Sequence, residues 1–244
     1  MWAALRNDEH ALRLLLDYGA KLDTRDIYMK TATHLAAESG SFDCVESLLE
    51  AGANPNARNV YGSTPLHQLN DDGIAKYSDI KQCIFAFQRH GANIDAPDAD
   101  GITPLGVSLF DRSENVEALL QCGADVNFMS GNESTVISRA IYNNNPDVVQ
   151  RICQEKPKSS WTYPNGRQDN IIQRIGSHGT AETMNIIADS DLDPVECDFS
   201  QMRSWFRHKR QHFIYGTRLS PEEELTAFEN LLEMKGTLIK DYSE

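Results

Sequence analysis

The amino-acid sequence predicts an all-α repeat solenoid closed by a helical cap or extension at its C-terminal end. Two phrases that recur in phase lead to this fold, and the loss of their period beyond Pro194 marks where the cap begins. The first phrase is Gly-Ala, a polar residue, then an apolar or proline step. Its copies are Gly19-Ala20-Lys21-Leu22-Asp23, Gly52-Ala53-Asn54-Pro55-Asn56, Gly91-Ala92-Asn93-Ile94-Asp95 and Gly123-Ala124-Asp125-Val126-Asn127. Their glycines are 33, 39 and 32 residues apart. The second phrase begins 12 residues after each of the first three glycines, as Thr31-Ala32-Thr33-His34-Leu35-Ala36-Ala37, Thr64-Pro65-Leu66-His67 and Thr103-Pro104-Leu105-Gly106. Thr135-Val136-Ile137-Ser138 is a weaker fourth copy. Self-similarity at such a period is the mark of stacked architectures.

Each part of the unit has a local physical reason. Thr64-Pro65 sets a hydroxyl at a helix N-cap and proline at the first helical position, where its missing N–H costs nothing. Gly40 lies between two short apolar-periodic segments, where a left-handed residue lets one helix reverse into the next. Asn7 and Asn144 occupy the same slot, and asparagine is the next most tolerant of positive φ. Leu15-Leu16, Leu48-Leu49 and Leu119-Leu120 are expected to form the buried ridge of each second helix, which Gly19, Gly52 and Gly123 end. A unit of 33 residues is too small to bury its own apolar face, so the units must stack.

Together the two phrases resemble the ankyrin repeat, which runs Gly-x-Thr-Pro-Leu-His-x-Ala-Ala, helix, turn, helix, Leu-Leu-x-x-Gly-Ala-Asp-x-Asn. The resemblance covers residues 1 to about 155 well and 161–194 by pattern, as a degenerate sixth repeat. In that repeat Asn170-Ile171-Ile172-Gln173 stands in place of Thr-Pro-Leu-His, and Gly179–Ile187 copies Gly40–Leu48. It implies helix pairs joined by β-hairpin fingers over 1–194, with 195–244 as the cap. It also implies that His34 and His67 hydrogen-bond to neighbouring backbone and lock adjacent repeats. Gly106 and Ser138 replace them in the fourth and fifth repeats, where coupling should be looser.

Three stretches depart from the pattern. The first repeat lacks its hairpin and most of its first helix, so its stacking face should be exposed, with Trp2 and Leu5 near the edge. Two readings follow: the chain is the later part of something longer, or Trp2 plugs the end. The third repeat gains six residues, 74–79 by alignment, read as a longer interhelical loop or as an addition to a binding face. Beyond Pro194, Phe199, Met202, Phe206 and Phe213 follow helical spacing. Ser220-Pro221-Glu222-Glu223 starts another helix. These two helices read as a cap or as a box recruiting another protein.

Composition and motifs limit the function. The 244 residues are 40% hydrophobic and 24% charged, with 23 Lys plus Arg against 36 Asp plus Glu and a net charge of −13. No apolar run approaches the ~20 residues of a membrane span. The N-terminus has neither signal nor transit character. The chain is therefore expected to be intracellular, cytoplasmic or nuclear, and neither secreted nor transmembrane. Five cysteines with no C-x-x-C pair read as buried thiols rather than metal ligands. No phosphate loop, dinucleotide fingerprint, zincin helix or nucleophile elbow occurs, so no enzyme, metal or cofactor is expected.

What the resemblance implies is a protein–protein interaction module that binds on its concave surface of finger tips and first helices. By register the tips carry Tyr28, Tyr61 and Asp100, with Ile27 and Val60 beside the tyrosines. The exposed ends of the first helices carry Glu38, Asp71, Asp72, Phe110, Asp111 and Tyr142. Exposed aromatics make contact area at little entropic cost, and carboxylates favour a basic or mixed partner. Residues 1–127 hold 19 acidic and 10 basic side chains. A competing site is the acid-free stretch 202–219, with Arg203, Arg207, Lys209 and Arg210, suited to nucleic acid or an anionic membrane. A third reading is the regulatory part of a larger protein. Asn127, with Leu119 eight residues earlier, also resembles an ankyrin asparagine-hydroxylation site. The sequence sets no oligomeric state.

Overall fold

The computed structural model describes residues 1–69, 77–109, 113–130, 134–158, 160–162, 168–171, 175, 179–192 and 226. The chain divides into two compact units, Met1–Asn132 and Glu133–Glu244. In the first unit helices come in pairs: α1 (Trp2–Leu5) with α2 (Glu9–Asp17), α3 (Ala32–Glu38) with α4 (Phe42–Glu50), α5 (Pro65–Gln68) with α6 (Tyr77–Arg89), and α7 (Pro104–Ser108) with α8 (Ser113–Gln121). The second unit holds α9 (Val136–Tyr142) and α10 (Pro146–Gln154), then β1 (Ser160–Thr162), β2 (Gln168–Asn170) and α11 (Ala181–Asp189). First helices pack on first helices and second on second within the first unit, as in α3 on α5 and α4 on α6. Its core is a row of small and branched side chains, with Ala36, Val45, Leu48, Ile84, Phe87 and Leu105 buried between successive pairs.

The helix starts follow from the recurring phrase. Thr31, Thr64, Thr103 and Thr135 are N-caps, with Pro65 and Pro104 in the first helical turn. Asn7, Gly40 and Asn144 turn one helix into the next at φ of 53°, 62° and 52°. Both asparagines also reach forward from that turn: Asn7 Oδ1 accepts from the Ser41 hydroxyl, and Asn144 Oδ1 from Thr180 Oγ1 at 3.0 Å. In each case the hydroxyl belongs to the N-cap of the following second helix. In the stretch that the sequence suggests as a sixth repeat, α11 stands in the place of that helix, with Thr180 as its cap. Ahead of it, β1 and β2 pair antiparallel, with Ser160 opposite Asn170. Asn170 ends β2 and stands directly before the helical positions 171 and 175.

Two expectations change. Leu15 does not belong to a buried ridge: it is 47% exposed, against 1% for Leu48 one repeat later. The equivalent ridge of α4 is covered by α2, from which Arg13 Nε reaches Ser47 Oγ at 3.3 Å. The six-residue insertion is not wholly a loop either. Helix α6 runs 13 residues against 9 in α2, α4 and α8, and its first three, Tyr77-Ser78-Asp79, are the last three of the insertion. Asp79 in that first turn suits the positive end of the helix dipole. The cap expected at 195–244 lies outside the described residues, save for one helical position at 226.

Candidate functional site

The fingers of the first unit are built by an acceptor two residues before each tip. Asp26 Oδ1 accepts from the N–H groups of Tyr28 and Lys30 at 2.9 and 2.8 Å. Asn59 Oδ1 does the same for Tyr61 and Ser63 at 2.9 and 3.0 Å, and Asp98 Oδ1 for Asp100 and Ile102 at 2.9 and 2.8 Å. Short polar side chains that bond backbone two and four residues on favour such turns. Neighbouring tips are then joined: Val60 N–H donates to Tyr28 O at 3.0 Å, and Ala99 N–H to Tyr61 O at 2.9 Å.

Two arginines brace this row from one side. Arg25 Nη1 donates to Met29 O in its own finger and to Arg58 O in the next, at 3.1 and 2.7 Å. Arg58 repeats the arrangement with Gly62 O and Pro97 O, at 2.8 and 2.7 Å. Below the fingers the histidines act as latches. The Thr31 N–H donates to His34 Nδ1 at 3.1 Å, which leaves Nε2–H to donate to Ser63 O at 3.2 Å. His67 bonds Thr64 and Ile102 O in the same way, at 3.1 and 3.0 Å. Burial holds both imidazoles below the ordinary histidine range, against the opposing effect of the carbonyl each one bonds.

On this frame Tyr28 and Tyr61 stand one repeat apart, 50% and 61% exposed, with Ile27 and Val60 also exposed beside them. Asp100 takes the third tip, exposed. The structure therefore brings together five of the residues singled out by register: Ile27, Tyr28, Val60, Tyr61 and Asp100. Tyr142 is exposed but belongs to the second unit. Asp71, Asp72, Phe110 and Asp111 lie outside the described residues, as do Arg203, Arg207, Lys209 and Arg210. Glu38 is not a free carboxylate, because Lys30 Nζ pairs with it at 2.8 Å. Asn127 is half-buried, its N–H bonded to Asp125 Oδ1 at 2.8 Å.

One tip residue was missed by register alone. Met29 is exposed at φ 60°, where the other two fingers have Gly62 and Gly101 at 71° and 74°. The signal was the alignment of Asp26-Ile27-Tyr28-Met29 with Asn59-Val60-Tyr61-Gly62. A side chain in the left-handed region costs stability, so its apolar surface at a finger tip is a candidate for function.

Among the described residues no group of three His, Cys, Asp or Glu is arranged to hold a metal ion. Cys44, Cys83, Cys122 and Cys153 are buried, and burial pushes the Cys83 thiol far up. No described helix is long and apolar enough to cross a membrane.

Comparison with known proteins agrees with the geometry. A family model described as ankyrin repeats (3 copies) matches residues 1–77. The chain is 28% identical over 198 residues to the ankyrin repeat domain-containing protein SAT10 of Stachybotrys chartarum, covering 79% of this chain and 10% of that protein. It is 32% identical over 135 residues to the mouse B-cell lymphoma 3 protein homolog, covering 53% of this chain and 29% of the relative. With human inversin it shares 35% identity over 156 residues, covering 62% of this chain and 14% of inversin. The chain thus spans less than a third of the length of these relatives.

Proposed function

Because this chain is an ankyrin-repeat protein, we propose that it works as an adaptor, binding another protein across the finger tips of its first unit. Ankyrin repeats are generally protein–protein interaction modules. The observation that carries the proposal is the pair Tyr28 and Tyr61, exposed on tips that side chains and backbone hold rigid. A pre-ordered aromatic pair loses little entropy on binding, which is what makes such residues dominate interface energies. The partner is a protein of basic or mixed charge: its apolar side chains meet Ile27, Tyr28, Val60 and Tyr61, and a cationic group faces Asp100. The buried thiols of Cys44, Cys83 and Cys122 support a reducing, intracellular setting. No catalytic step is assigned to the chain. How the reading extends to a longer protein, of which this would be the regulatory part, belongs to the same proposal.

The test is a double substitution. Tyr28→Ala with Tyr61→Ala should lower recovery of a pulled-down partner at least tenfold, from hot-spot losses of about 2 kcal/mol or more. The melting temperature should stay close to that of the parent, because both rings are half-exposed or more. Unchanged recovery would remove the tips from the binding surface.

A further inference from the structure

The loops that follow the second helices are tied together at one recurring place, four residues after the glycine of each loop. In the loop after α4 that place is Asn56, whose amide makes two bonds forward to the loop after α6. Asn56 Nδ2 donates to Gly91 O at 3.0 Å, and Asn56 Oδ1 accepts from the Asn93 N–H at 2.7 Å. An amide suits this place because it carries a donor and an acceptor side by side. In the loop after α6 the same place holds Asp95, and the equivalents of Gly91 and Asn93 in the loop after α8 are Gly123 and Asp125. One of the two bonds recurs: Asp95 Oδ1 accepts from the Asp125 N–H at 2.9 Å. The other needs a hydrogen that an ionised carboxyl does not have, since a carboxylate only accepts.

We propose that Asp95 is a proton-operated clasp between the loops after α6 and α8, bridging them by one bond when ionised and by two when protonated. The bond from the N–H of residue 125 aligns the carboxyl with the Asn56 amide, so Oδ2 takes the place of Nδ2, towards the Gly123 carbonyl. Ionised, the clasp sets two acceptors against each other. One proton taken up from solvent at Oδ2 turns that repulsion into an O–H donated to Gly123 O, and the bond from Asp125 is kept.

The surroundings favour the protonated form. Asp95 is half-buried, and its desolvation holds the carboxyl above the ordinary carboxylate range. The Asp125 N–H opposes that shift and the Asp125 charge adds to it. Among the described residues Asp125 is the charged group that acts on the clasp, and its own Oδ1 accepts from the Asn127 N–H at 2.8 Å. The neighbouring polar groups are neutral or engaged: Asn56 bonds Gly91 and Asn93, Arg58 donates to Gly62 O and Pro97 O, and Gln88 of α6 donates to Cys122 O at 3.0 Å. With its folded pKa raised, Asp95 contributes stability that is fully present below its unfolded pKa and lost as the pH rises through the folded one. The clasp tightens in acid, opposite in sign to the buried His34 and His67.

Urea unfolding of the 244-residue chain at about pH 7 and about pH 4 tests the proposal. Asp95→Asn supplies the missing donor without a proton, and should raise the urea midpoint at neutral pH by roughly 0.5 M. The gain should vanish in acid, where the parent makes the same two bonds. Asn56→Asp moves the clasp back one loop, and should lower the midpoint at neutral pH and restore it in acid. Asp100→Asn, which removes an exposed charge outside the clasp, should leave the midpoint unchanged. A midpoint that Asp95→Asn does not raise at neutral pH overturns the proposal, and this holds even if the chain unfolds in acid. So does a gain that Asp100→Asn matches, or one of equal size at both pH values.

Discussion

The second and third repeats hold their successors through side chains, whereas the fourth has no such side chain at the same positions. In the first two, Arg25 and Arg58 bridge to the next finger, and His34 and His67 latch to the next repeat's backbone. In the fourth, Pro97 and Gly106 stand at those two positions, and the tip carries Asp100 in place of a tyrosine. All three helices start equally well. Thr103 Oγ1 accepts from the Gly106 N–H at 3.2 Å, so α7 is capped without a histidine. The histidine is therefore not required to make its own helix; its distinctive contribution is the bond to the following repeat. Ser138 in the second unit shows the intermediate case. Its hydroxyl accepts from the Thr135 N–H at 3.0 Å and donates to Thr135 O at 2.9 Å, so its bonding is local.

The largest predicted effect breaks that distinction. His67→Ala removes both ring bonds and strands the Thr64 N–H and the Ile102 carbonyl, for an expected loss of about 2–4 kcal/mol. Ser138→Ala removes only the two local bonds to Thr135 and should cost about 1 kcal/mol. Urea unfolding of both variants checks this, and equal shifts of midpoint would show that the latch between repeats contributes little.

Acid should weaken the same latches more gently. Folded His34 and His67 titrate below 6.5, so between that value and their folded pKa the unfolded chain binds more protons. Stability is then fully present above the unfolded pKa and falls as the pH drops below it. The loss is at most about 1.4 kcal/mol per histidine for each pH unit. Melting temperatures between pH 7.5 and 5.5 should fall, and should fall less in a chain carrying His34→Gln and His67→Gln. An identical slope in that chain would assign the acid sensitivity to other groups.

Much of this contrast could be read from the sequence, because the latch depends on one residue at a fixed place in a recurring phrase. Thr64-Pro65-Leu66-His67 against Thr103-Pro104-Leu105-Gly106 states the difference outright. The arginine bridges were not legible, since their acceptors are backbone carbonyls one repeat away and carry no side-chain signature. The exposure of Leu15 was only half legible: the incomplete first repeat marked its stacking face as exposed, yet the Leu15-Leu16 step repeats Leu48-Leu49, which is buried. At the candidate site, register found the tyrosines but passed over Met29, whose place is marked by backbone conformation rather than by residue type.

Met29 sharpens the comparison of fingers in the opposite direction. Met29→Gly gives the first finger the residue the other two have, and should raise stability by about 1 kcal/mol by relieving a left-handed side chain. If the exposed methionine belongs to the binding surface, the same change should lower partner recovery. A more stable variant with full binding would make Met29 a tolerated irregularity of the turn.

The smallest effect concerns the acceptors that shape the fingers. Asp26 and Asp98 are carboxylates, but the middle finger has Asn59, whose Nδ2 is buried without a hydrogen-bond partner. An amide there satisfies its oxygen twice and wastes a donor, and an unmet buried donor costs about 1–3 kcal/mol. Asn59→Asp removes that donor and keeps both bonds from Tyr61 and Ser63, which favour the ionised form. Against this stands the cost of burying a charge at a site less exposed than Asp26 or Asp98. The two bonds and the lost orphan should leave a net gain of about 0.5 kcal/mol at pH 7. The gain should vanish near pH 4 as the carboxyl protonates. A destabilised variant at neutral pH would mean that burial outweighs the orphan donor, and that asparagine suits the middle finger because it sits deeper than its neighbours.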